Sequence, residues 1–244
     1  MVSKWLGPQN SNWREGLARA AWDDTLIAMY DPEPHLLLLP PEQRLALAYA
    51  PGGVRQDWLA VLALDAKLAW IVRGAREPLL AQMRLAWWRE QLAESATVVA
   101  GEPLLASFAG WDGARGGLIA LVDGWEALLG QAPLGCAALS EFVEGRVAAL
   151  GSMADRLGCD GAAARQAARG WALVDLLGHL THLDERETVA EMVAVHRWDR
   201  VRLARSMRPL AVLHGLARRA RGDGRLLASP TGFARAIRLG LLGF

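Results

Sequence analysis

Two places in this 244-residue chain set charged or ligating side chains against an apolar pattern. The first is Asp65, within residues 54–74. There Trp58, Val61, Leu62, Leu64, Leu68, Trp70, Ile71 and Val72 leave no broad polar face at helical spacing. A helix that is hydrophobic on every side is buried within its domain, and a buried charge is costly unless it is paired. Asp65 is therefore either one half of an ion pair with a nearby arginine or a polar residue facing a cavity. The second place is residues 171–186. Leu173, Leu176, Leu177, Leu180 and Leu183 form one apolar stripe, and Asp175, His179, His182 and Arg186 follow each other on the other side by steps of four, three and four. Such a polar stripe suits a metal or an anion, or it is an ordinary solvated face.

Other familiar chemistries are excluded by spacing. The chain has no phosphate-binding loop ending in Gly-Lys-Ser or Gly-Lys-Thr, no Gly-x-Ser-x-Gly elbow and no Cys-x-x-Cys. A di-iron bundle carries Glu-x-x-His on its helices. Three residues before the five histidines stand Pro32, Leu176, His179, Val193 and Ala211, so that motif is absent. With 2 Tyr and 4 Phe, stacking platforms for nucleic acid are not expected.

The elements that must position these residues are helical. Ala (43) and Leu (41) fill about a third of the chain, against 24 Val, Ile and Thr together; helices favour the former and strands the latter. An all-α fold follows. Helices are expected over 13–30, after the Asn12/Glu15 capping pair, from 41 to about 50, over 54–74, and from the Glu77-Pro78 start onward. Further helices fit 103–110, 117–130, 137–157, 161–184, 187–206, 209–221 and 230–241. Pro51-Gly52-Gly53 is a breaker, and no proline interrupts the chain between Pro133 and Pro209. Residues 1–40 are expected to be an N-terminal extension and 41–244 one helical domain.

Charge is uneven. Residues 196–244 hold 11 Arg and 2 Asp, so the net charge of +1 hides a basic C-terminal region and an acidic remainder. A solvated helix face, internal pairing, an anionic membrane surface or a phosphorylated ligand would each suit these arginines. Two cysteines make no disulfide framework, residues 1–13 contain no signal-peptide core, and no apolar run reaches the roughly 20 residues of a membrane span. A cytoplasmic location is expected, with peripheral contact to the inner face of a membrane as an option.

Several segments, taken in order, resemble the squalene/phytoene synthase superfamily. Arg44-Leu-Ala-Leu-Ala-Tyr-Ala-Pro-Gly-Gly-Val-Arg55 is similar to the start of that domain. Glu77-Pro78 followed by Arg84-Leu-Ala-Trp-Trp-Arg89 resembles its Glu-Pro…Arg-Leu-x-Trp-Trp-Arg signature. Glu144–Gly151 sits where the family has its mid-chain Val-Ala-Gly helix, and 171–186 where it has its second aspartate-rich helix. The resemblance implies an isoprenoid-synthase-type helical bundle with a central cavity. It also implies head-to-head joining of prenyl diphosphates held by Mg²⁺ between aspartates at i, i+4 on two facing helices. It places Asp65, Arg73, Arg84, Asp175 and His179 on the helices lining that cavity, where Arg84 and Asp65 can also pair with each other.

The sequence departs from the family at its chemistry. The first aspartate pair would fall near Ala69 and Arg73, and the second motif reads Asp175, His179 and Leu183. The i, i+4 acidic pairs, Glu90/Glu94 and Glu187/Glu191, lie outside these positions. Without the carboxylates there is little to hold the Mg²⁺ that neutralises the leaving diphosphate. The expectation is a family member without the Mg-dependent condensation and without a metal cofactor. It would bind a prenyl or lipid ligand or act as an accessory factor. Two alternatives are an active prenyl transferase with a non-standard diphosphate site, for which Mg²⁺ would be required, and a helical protein-interaction module.

Overall fold

The computed structural model describes residues 35–75, 77–94 and 102–226. The helices expected over 13–30 and 230–241 lie outside them. The described residues form nine α-helices and no strand: α1 (Pro41–Leu47), α2 (Arg55–Gly74), α3 (Pro78–Ala93), α4 (Pro103–Ala106), α5 (Arg115–Ala127), α6 (Cys136–Arg156), α7 (Gly161–His179), α8 (Leu183–Val195) and α9 (Arg208–Ala217). Proline opens α1, α3, α4 and α9 within the first two positions, where its missing N–H costs nothing. Asp160 caps α7, its carboxylate accepting from the Ala162 and Ala163 amides at 3.0 Å.

Helix α2 is the central element. Every residue from Trp58 to Asp65 is buried, so it has no solvent face over its middle turns. The helices α5, α6 and α7 pack in series, with α3 against α5 and α9 against α7. Two glycines set the α5–α6 spacing. A Cβ on Gly145 would lie 2.4 Å from the Ala120 carbonyl oxygen and 3.2 Å from the Gly124 Cα. The helices therefore approach at backbone distance, which brings Trp125 of α5 beside Arg146 of α6. Among the described residues, no helix is long and apolar enough to cross a membrane.

Among the helices whose bounds differ from the sequence expectation, three do so for a visible reason. The expected 161–184 helix ends at His179, and Leu180 is extended. Arg186 donates to the Leu177 and Leu180 carbonyls at 2.8 and 3.1 Å, satisfying acceptors that the chain break releases. His182 and Arg186 thus do not continue the Asp175–His179 stripe along one helix. The expected 187–206 helix is instead Leu183–Val195, after which the chain runs extended and the Trp198 indole donates to the Val193 carbonyl at 2.9 Å. Arg197, Arg200 and Arg202 therefore lie outside any helix. The expected 103–110 helix stops at Ala106, and Gly110 takes a left-handed turn conformation at φ 75°.

A buried Asp–Arg–Asp bridge as the candidate functional site

Three helices each send one charged side chain to the same interior point. Asp65 comes from α2, Arg146 from α6 and Asp175 from α7, and each residue is only 4–5% exposed. The Arg146 guanidinium grips Asp65 with two hydrogen bonds, Nε to Oδ1 at 3.1 Å and Nη2 to Oδ2 at 2.9 Å. Its Nη1 donates to Asp175 Oδ2 at 2.5 Å. This planar fork uses the geometry in which arginine surpasses lysine. Trp125 Nε1 adds a further donor to Asp65 Oδ1 at 2.8 Å, and Gln43 Nε2 lies 3.5 Å from Oδ2.

Aromatic rings wall the cation. The guanidinium carbon is 4.6 Å from the Phe142 ring centre, 4.8 Å from Trp171 and 5.4 Å from Trp125. Their faces offer negative quadrupole potential to the cation and exclude water. Burial by itself disfavours the Arg146 charge, but Asp65 and Asp175 outweigh it and raise its pKa above the ordinary guanidinium value. Burial likewise pushes Asp175 up, and Arg146 with His179 reverses the sign, holding that carboxyl below its usual range. The void beside Asp65, Arg146 and Trp171 amounts to about 10 Å³, near the lower limit for one water.

The other expected site residues lie at the edge of this centre or away from it. His179 is half-buried at the end of α7. Its Nδ1 is hydrogen-bonded to the Asp175 carbonyl oxygen at 2.7 Å and lies 3.8 Å from Asp175 Oδ1. Arg73 is exposed near the end of α2, though its charge helps to lower the Asp175 pKa. Arg84 is exposed on α3 and is not brought to Asp65; the arginine that pairs with Asp65 is Arg146. Helix α3 buries Ala81, Leu85, Trp88 and Leu92, and Arg84 shares its outer side with Leu80 and Trp87. Sequence reasoning passed over Arg146, although a signal was present. It interrupts the apolar stripe Leu139, Phe142, Leu150 and Met153, where an unpaired charge would be costly. Glu42 at the start of α1 also belongs to the edge. Burial, then the Asp175 charge, raise its pKa, while a backbone hydrogen bond, His179 and Arg146 pull the other way.

These residues do not fit a magnesium–diphosphate site. Mg²⁺ requires several hard oxygens with free lone pairs in near-octahedral array. Here the two carboxylates are separate, one per helix. Both Asp65 oxygens and one Asp175 oxygen already accept from the guanidinium. Among the described residues no group of three or more His, Cys, Asp or Glu side chains is placed to hold a metal ion. A divalent ion would have to displace a cation that is covalently part of α6.

A wholly helical bundle, with aspartates on two facing helices directed at its centre, is the architecture of the isoprenoid-synthase type. The family model Squalene/phytoene synthase matches residues 41–187, well over half of the chain, and the protein belongs to that family. Comparison with curated proteins gives no match, and comparison with solved structures gives none.

Proposed function

We propose that this chain is a non-catalytic member of the squalene/phytoene synthase family, acting as an accessory or assembly factor. The observation that carries the reading is the Asp65–Arg146–Asp175 bridge. Asp65 and Asp175 stand on the two helices from which the family's catalysts present metal-binding aspartates. Between them lies an arginine, a cation that neutralises both carboxylates and cannot be exchanged. Metal-assisted departure of diphosphate needs a positive centre facing the substrate. In Arg146 the positive charge faces inward and is shut off by Phe142, Trp125 and Trp171.

A prenyl chain does not fit at the bridge itself, where the void holds about 10 Å³, whereas an open cleft of about 510 Å³ lies between α6, α7 and α8. The active-transferase alternative would draw on Arg73 and His179 at the edge of the site as diphosphate contacts. The test is incubation of the purified full chain with farnesyl or geranylgeranyl diphosphate, with and without Mg²⁺, following free diphosphate and prenyl products. The proposal expects no metal-dependent release. Mg²⁺-dependent release with a condensed product would overturn it in favour of an active transferase.

A further inference from the structure

Six large apolar side chains, Leu37, Trp70, Leu79, Leu80, Met83 and Leu183, are between 51% and 71% exposed. Their places in the fold converge on one end of the bundle. Helix α2 ends at Gly74 and α3 begins at Pro78, and Lys67 of α2 lies over the Trp88 ring of α3, so the end of α2 and the start of α3 form one tip. Further along α3, Arg89 pairs with Asp123 and Glu126 near the end of α5. Arg115, at the start of α5, donates to the carbonyls of Leu92 and Glu94. The two helices are thus antiparallel, and Leu79, Leu80 and Met83 lie on the uncovered side of α3 while Ala81 between them is buried. The turn at Leu36–Leu38 packs on α2, and the Arg73 charge at the end of α2 reaches Asp175, which sets these residues toward the Asp175–His179 end. Leu183 opens α8 shortly after His179.

The same end carries Arg73 and Arg84 on the tip, against Glu77 beside them and Glu42 and Asp184 at the starts of α1 and α8. The segment after α9 returns to this end as well, for the Gly224 carbonyl abuts Gly178, next to His179. Exposed Arg219, Arg221 and Arg225 flank that contact, with Asp223 the acid among them. Leucine, methionine and tryptophan at a helical tip, beside these arginines, match the chemistry of a bilayer interface. The apolar groups enter the acyl boundary, the indole rests at headgroup depth, and arginine reaches anionic lipid while its stem covers apolar surface.

We propose that this end of the bundle docks on an anionic lipid surface, with Leu79, Leu80 and Met83 entering the bilayer and the surrounding arginines on the headgroups. The docking does not depend on whether the chain is catalytic. The test uses the full chain with vesicles of phosphatidylcholine alone or mixed with phosphatidylglycerol. Binding is expected to the mixed vesicles, to fall with salt, and to weaken roughly tenfold or more in Leu80→Asp/Met83→Asp, by loss of buried apolar area and added repulsion. Val195→Asp, on an exposed residue at the other end of α8, is expected to bind as wild type. Peroxide oxidation of Met83, read by mass spectrometry, is expected to be rapid in the free protein and slowed by mixed vesicles. Equal binding to both vesicle types, no binding to either, or no loss in the double variant would overturn the proposal. Protection of Met83 before vesicles are added would also overturn it, assigning the face to residues 1–34 or to a second copy of the chain.

Discussion

Replacing Arg146 by methionine, which keeps much of its length and removes its charge, isolates what the guanidinium does. The substitution leaves Asp65 and Asp175 facing each other in an interior where each is 4–5% exposed. Removing one partner of a buried ionic network costs about 3–5 kcal/mol, a large share of the about 5–15 kcal/mol that holds a typical domain folded. Urea unfolding followed by tryptophan fluorescence and by circular dichroism measures this as a fall in midpoint at unchanged m. The pH dependence supplies a second, sign-specific signal. In the wild type, Asp175 has a lowered pKa, so its contribution is fully present above the unfolded carboxyl value near 3.9 and is lost as pH falls through the folded value. In Arg146→Met the carboxylates are desolvated and unpaired, so their folded pKa values rise. The folded state then binds more protons, and the variant gains stability as pH drops from neutral toward about 5. The neutral triple variant Asp65→Asn/Arg146→Met/Asp175→Asn should recover much of the loss, because isolated buried charge is what costs energy. A loss below about 1 kcal/mol, or parallel pH profiles for variant and wild type, would refute the description of Arg146 as the principal counter-charge of both aspartates.

Two further outcomes follow from the packing. Gly145→Ala places a methyl group 2.4 Å from the Ala120 carbonyl oxygen; it should destabilise by about 1–3 kcal/mol in the same urea assay, and a neutral result would contradict the close α5–α6 approach. His214 is buried under Trp198, and burial pushes its pKa down to about 4 from the ordinary imidazole value near 6.5. The unfolded state therefore binds more protons between those values, so stability is full above the unfolded pKa and falls by up to about 3 kcal/mol as pH drops toward 4. His214→Gln should flatten that slope, leaving the smaller part contributed by His196, whose pKa burial also lowers.

The helical class and most element starts were legible because proline, breaker and apolar-run signals act locally. The apolar surround of Asp65 already demanded either a partner or a cavity. What could not be read was which arginine would answer. Arg84 and Arg146 are both long-range candidates, and the choice depends on the glycine-set approach of α5 to α6, which places Arg146 beside Trp125. The breaks after His179 and Val195 were hidden for a similar reason. Their free carbonyls are satisfied by Arg186 and Trp198 after the chain has changed direction, whereas no proline or glycine cluster marks either break. The exposed tip of α2 and α3 was invisible for the opposite reason: Leu79, Leu80 and Met83 have core composition, and only the way α3 packs leaves them uncovered.

The central claim is that Arg146 takes up the carboxylates of Asp65 and Asp175 and leaves no pair of them to hold a metal. Titration of the purified chain with Mn²⁺ in the presence of inorganic diphosphate, read by electron paramagnetic resonance, tests it most directly. The expected spectrum is that of the same Mn²⁺–diphosphate mixture without protein, in the wild type and in Asp65→Asn and Asp175→Asn alike. Stoichiometric departure from that spectrum in the wild type, abolished by either aspartate substitution, would contradict the claim.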